Sequence, residues 1–118
     1  LDPVLRLPEV RSLQAEAAGV RVSAPLLEYA VALAEASRRR PGVKLGLSPR
    51  GSLALCRAAR AFALIQGRDY CIPDDFKMIA VPVISHRLML DTTLLGVARI
   101  AEAEGVVESI LKSVPAPG

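Results

Sequence analysis

The stretch from Gly46 to Gly67, GLSPRGSLALCRAARAFALIQG, constrains the fold of this chain more than any other. It carries the signals of one helix from start to stop. Ser48 can be the N-cap, its hydroxyl accepting from a free backbone N–H of the first turn. Pro49 follows at the first helical position, where a missing N–H costs nothing and a fixed φ suits the helix. Gly67 can take the left-handed conformation that ends it. From Leu53 to Ile65 the residues are apolar almost all the way round, and such a helix is expected to be buried over most of its circumference. The exceptions are Arg50, Arg57 and Arg60, which share an arc of about 80°. The expectation is a central core helix with one basic edge and Arg50 at its N-terminus.

The flanking sequence predicts more helices joined by short connections. Leu1 to Leu7 leads in, and a first residue other than Met suggests a piece of a longer protein. Pro8 to Ala18 carries Val10, Leu13 and Ala17 at helical spacing. Ser23 is positioned to cap a helix over Ala24–Arg39, where Leu26/Leu27, Ala30/Val31 and Leu33/Ala34 repeat with helical period. Arg38–Arg40 complement the C-terminal dipole of that helix, and Pro41-Gly42 break it. Arg68–Ile72 is extended and could pair with Val20–Val22 in a minimal two-stranded ribbon. Pro73 opens the next helix, with Asp74 and Asp75 in its first turn against the positive end of the dipole. Phe76, Ile79, Ala80 and Val83 form its buried stripe, and Pro82 should kink or end it. Thr93–Glu104 and Val106–Val114 read as two further helices, and Pro115–Gly118 as a frayed tail. The fold class is all-α, a small bundle of five or six helices, with that ribbon as the only strand pairing.

A chain of 118 residues is the size of one domain, and its apolar content of 52% can furnish a core. Aromatic residues make up only 3%, which favours Ala- and Leu-rich helix packing. A net charge of +3 is too mild to argue for nucleic acid by itself. Cys56 and Cys71 read as small buried hydrophobes of a reducing compartment. His86 is the only histidine and no CxxC exists, which argues against a metal site. No signal peptide and no run of 18 apolar residues occurs, so a soluble, cytoplasmic protein is expected.

The chain lacks a Ser/His/Asp set, HExxH, GxGxxG and GxxxxGK[ST]. It has no P-loop and should be catalytically inactive alone. What remains is Arg50, a cation placed against the positive end of a helix dipole. One reason to tolerate that placement is an outward reach to a phosphate, to which the helix N-terminus is itself complementary. The plainer alternative is an exposed Arg, or one paired with Asp69, Asp74 or Asp75.

Gly46-Leu47-Ser48-Pro49-Arg50-Gly51, Leu53-Ala54-Leu55, Arg57-Ala58-Ala59, Gly67-Arg68-Asp69-Tyr70, Pro73-Asp74-Asp75 and His86-Arg87-Leu88 together resemble the C-terminal lid domain of MoxR-type AAA+ ATPases. The likeness covers nearly the whole chain and is weakest from Asp91 to Glu104. It divides the chain into a lid over residues 1–114 and a flexible tail over 115–118, with Val114–Pro117 similar to a family C-terminus. Ile72 stands where the family usually has a Thr cap. The resemblance implies that Arg50 is the "sensor 2" residue, the one catalytic residue of this chain. With Ser48 and Pro49 it would face ATP with Mg²⁺ held mainly by an N-terminal ATPase core. It further implies a homo-oligomeric ring, chaperone-like remodelling, and a partner carrying a von Willebrand factor A domain. The competing reading is a small helical DNA-binding or adaptor module contacting its target through Arg50/Arg57/Arg60 and Arg38–Arg40. The apolar character of the central helix argues against it, because a recognition helix offers a broad polar face.

Overall fold

Apolar stripes opened by prolines become helices in the computed structural model, which describes residues 6–117. The expected leader lies mostly outside those residues, as does Gly118. In chain order the elements are α1 (Leu7–Ala18), α2 (Ala24–Arg39), β1 (Val43–Leu45), α3 (Pro49–Ile65), α4 (Pro73–Ser85), β2 (Met89–Leu90) and α5 (Gly96–Ser113). Pro8, Pro25, Pro49 and Pro73 occupy the first turns of α1 to α4, where the backbone N–H would be unpaired anyway. The expected all-α bundle is present, with five helices among the described residues.

Helix α3 is the hub, packed on α4, α1 and α2. Gly51, Leu55, Ala59 and Ala63 follow one another at i, i+4 spacing and are all buried. This narrow face admits α4 closely, and α4 contributes Phe76, Ala80 and Ile84, each 0% exposed. Tyr29 of α2 meets Phe76 edge-on at 6.3 Å between ring centroids. The burial of α3 is narrower than its composition suggests. Leu53 and Ile65 are 58% and 79% exposed, so two of its large apolar residues have no cover within the described chain. The stop signal behaves as expected. Gly67 has φ +81°, and Arg68 N–H and Gly67 N–H donate to the carbonyls of Ala63 and Leu64, closing the helix in a Schellman motif.

Several expectations require correction. The strand pairing is elsewhere: β1 and β2 form an antiparallel ribbon with Val43 opposite Leu90 and Leu45 opposite Met89. Between Val20–Val22 and Arg68–Ile72 only a parallel bridge, Arg21 to Tyr70, remains. Helices α2 and α4 begin immediately after these segments and leave no length for a ladder. Ser23 stands at the N-cap of α2, yet its side chain makes no capping bond. Pro82 does not end α4, which runs on to Ser85. Its ring is exposed, and so is Met78, whose carbonyl loses the helical N–H. Helix α1 buries no residue fully and leaves Leu7 and Leu13 exposed.

The two helices expected over Thr93–Glu104 and Val106–Val114 are one. Helix α5 continues through Gly105 because Ala103, Val107 and Ile110 are buried on a single face. That packing outweighs the helix-interior penalty of a glycine, about 1 kcal/mol. A Cβ at Gly105 would meet nothing within 4 Å. Gly105→Ala should therefore stabilise the domain by about 0.5–1 kcal/mol, read as a higher urea midpoint. Beyond α5, Ala116 is half-buried against the core.

Candidate functional site

In the turn entering α3, Gly46, Leu47 and Gly51 are packed into the fold, whereas Ser48, Pro49 and Arg50 are exposed. Gly46 lies flat on the end of α2: a Cβ there would come within 2.6 Å of the Arg38 backbone nitrogen. Leu47 is fully enclosed. Its N–H donates to Ser37 Oγ at 2.8 Å, and its carbonyl accepts from Arg38 Nε at 3.1 Å. Ser37, itself 0% exposed, donates its hydroxyl to the Ala34 carbonyl at 2.6 Å. Ser48 Oγ accepts from Gly51 N–H at 3.1 Å, the cap that the sequence predicts. Gly51 is bare because a Cβ would meet Leu47 Cδ1 at 2.3 Å. Gly46→Ala, opposed by backbone atoms that cannot yield, should cost about 1–3 kcal/mol in the same urea assay that shows a gain at Gly105.

Arg50 is exposed and, among the described residues, takes part in no ion pair. The acids that could have claimed it have other roles. Arg21 pairs with Asp69 at 3.6 Å, with both side chains largely exposed. Arg68 grips Asp75 with both arms, at 2.7 and 2.5 Å. Asp74 is exposed. The N-terminal donors of α3 are also mostly committed. Pro49 has no N–H, Gly51 N–H serves the Ser48 cap, and Ser52 N–H bonds the Ser48 carbonyl at 2.9 Å. Among the described residues the first turn thus retains the Arg50 N–H and its guanidinium for an outside anion, rather than the open set of donors a bare helix end offers. Ser48 and Pro49 form the turn that carries Arg50.

Arg57 and Arg60 lie further along α3 and line an open groove of about 560 Å³ against Gln14, Ala17 and Ala18 of α1. Arg57 is exposed, and Arg60 is half-buried with an Nε that has no partner among the described residues. Seven residues of helix separate Arg50 from Arg57, about 10 Å along the axis. The basic edge is therefore two places, and only its N-terminal end belongs to the turn described above.

Asp75 is more than the dipole complement that its position suggests. It is buried, accepts both nitrogens of Arg68, and accepts the Ile72 N–H at 2.7 Å. Burial raises the pKa of its carboxyl, but the hydrogen bonds from Arg68 and Ile72 and the guanidinium charge outweigh this and hold it below the ordinary value. The Ile72 N–H bond is one half of a capping box; Ile72 has no side-chain oxygen to supply the other half. Arg68 also donates to the Tyr70 carbonyl at 3.1 Å, so one guanidinium ties the loop after α3 to the start of α4. Cys56 is half-buried and Cys71 buried; both are free thiols whose pKa burial raises.

The sequence reading missed Ser37 and the Arg68–Asp75 pair. Ser37 was detectable, because it continues the apolar stripe of α2 three positions after Ala34 and a polar residue there needs a partner.

The family model of the AAA lid domain matches residues 35–111, from the end of α2 through most of α5. The chain is 40% identical over 119 residues to the uncharacterized protein YeaC of Bacillus subtilis, covering 99% of this chain and 36% of that one. It is 34% identical to the chaperone MoxR1 of Mycobacterium tuberculosis, covering 97% and 32%, and 33% identical to the protein MoxR of Methylorubrum extorquens, covering 78% and 28%. A crystal structure from Cytophaga hutchinsonii, described as that of a candidate ATPase, superposes with a TM-score of 0.77 at 26% identity, covering 94% and 36%. The chain spans 36% or less of these relatives' lengths. With its helical fold and its match over α2 to α5, the chain belongs to the AAA lid domain family and resembles the lids of MoxR proteins.

Proposed function

We infer that this domain is the lid of a MoxR-type AAA+ ATPase and closes over ATP with Mg²⁺ bound by the remainder of a longer protein. Arg50 is the residue that senses the γ-phosphate. One observation carries the reading: Gly46, Leu47, Ser48 and Gly51 are each held by contacts within the fold, whereas the Arg50 side chain makes no hydrogen bond or ion pair among the described residues. A guanidinium held at a rigid helix start meets phosphate oxygens in pairs. Mg²⁺ and the remaining phosphate contacts come from outside this chain. Loss of the γ-phosphate releases Arg50, and the lid rotates, coupling hydrolysis to remodelling of a client. A cytoplasmic homo-oligomeric ring and a partner with a von Willebrand factor A domain belong to the same reading, through the family likeness.

The chain alone offers too few contacts to hold nucleotide. One charge-assisted hydrogen bond contributes about 1.5–3 kcal/mol, whereas millimolar affinity needs about 4 kcal/mol. Calorimetry of ATP against this chain should show no binding tighter than about millimolar, and no hydrolysis should accompany it. A micromolar dissociation constant would place a nucleotide site within the domain itself and overturn the division of labour proposed here.

A further inference from the structure

The turn that presents Arg50 is held from α2, through Leu47. Both main-chain polar groups of Leu47 are satisfied by adjacent residues at the end of α2: its N–H by the Ser37 hydroxyl and its carbonyl by Arg38 Nε. Ser37 passes the connection on to the Ala34 carbonyl. The Leu47 side chain is enclosed and abuts Gly51, the residue after Arg50. Gly46 closes the other side by lying against the Arg38 backbone. Backbone polar groups outside regular structure are satisfied by other backbone, by side chains or by water. Here they are fixed to a second helix on one side of Arg50, while Gly51 fixes the other side.

We propose that Ser37 and Arg38 are positioning residues for Arg50: the end of α2 sets where the guanidinium stands, so that a shift of α2 moves it. This rests on the γ-phosphate reading of Arg50 given above. Arg38 acts through its Nε hydrogen bond and not through its charge, and its side chain is otherwise exposed. Arg38→Met keeps the stem beside Gly46 and removes the donor. Ser37→Ala removes the acceptor for the Leu47 N–H.

The experiment uses the full-length ATPase and the ratio of dissociation constants for ADP and a non-hydrolysable ATP analogue, with the melting temperature as control. Arg38→Met should lower analogue affinity about tenfold, because a displaced charge-assisted contact is weakened rather than removed, with ADP affinity unchanged and melting shifted little. Ser37→Ala should act in the same direction. In an Arg50→Ala background, Arg38→Met should change the ratio no further, because its effect passes through Arg50. A wild-type ratio in Arg38→Met, or an effect that persists undiminished without Arg50, would overturn the positioning role. If Arg50→Ala itself leaves the ratio at wild type, the γ-phosphate reading fails first, and the two failures are thus distinct.

Discussion

Arg50→Ala is expected to slow ATP hydrolysis by the full-length protein by about 10²–10⁴ while leaving the lid folded. The loss arises because charge builds on the transferred phosphoryl group in the transition state, and a guanidinium aimed there has no substitute in the turn. The fold is spared because the Arg50 side chain is exposed and, among the described residues, makes no ion pair. Removing a cation from a helix N-terminus should even stabilise the isolated domain by about 0.3 kcal/mol. Arg50→Lys should recover the rate only in part, since an ammonium lacks the planar fork that meets two oxygens at once. Single-turnover kinetics separate this loss from slowed product release. A wild-type rate in the Ala variant would make Arg50 an ordinary surface residue.

The second large effect is on stability. Asp75→Asn should destabilise the domain by about 3 kcal/mol, because it breaks a buried charge pair and weakens the bond to Ile72 N–H. Asp74→Asn, at an exposed first-turn position, should cost only about 0.5 kcal/mol. Urea unfolding of the two variants measures the difference. The pH dependence has a defined sign. The Asp75 carboxyl titrates lower in the folded than in the unfolded chain. Its contribution is complete above the ordinary carboxylate value of about 3.9 and is lost as pH falls through the depressed folded value. The Asn variant should lack that part of the acid limb. Equal losses for Asn at 74 and 75 would return both residues to dipole complements.

Most features governed by local chemistry were legible in the sequence, the Ser23 capping bond excepted. The Ser48 cap, Pro49 at the first helical position and the Gly67 stop depend on residues within a turn of one another, and all are where their side chains predict. Features governed by approach in space were less so. Asp75 reads as a dipole complement until Arg68 is folded back onto it. Thr93–Glu104 and Val106–Val114 read as two helices until Ala103, Val107 and Ile110 are placed on one buried face. The ribbon was expected in the wrong place because β1 is short and flanked by turns, and its partner β2 lies far along the chain. Leu53 and Ile65 look like core residues by type, yet the described chain leaves them uncovered. At the candidate site, Arg50 stood out as a cation in an unfavourable place. Ser37 could be flagged as a polar residue on the apolar stripe of α2, but its bond to Leu47 and that of Arg38 could not, because a hydrogen bond between the end of one helix and the loop before the next has no periodic trace.

The proposed role of Arg50 is to read the γ-phosphate. The most direct measurement is the affinity of the full-length Arg50→Ala protein for ADP and for a non-hydrolysable triphosphate, each compared with wild type. The triphosphate alone should lose affinity, by about 1.5–3 kcal/mol, with ADP nearly unchanged. Equal losses for both nucleotides, or none for either, would contradict the assignment.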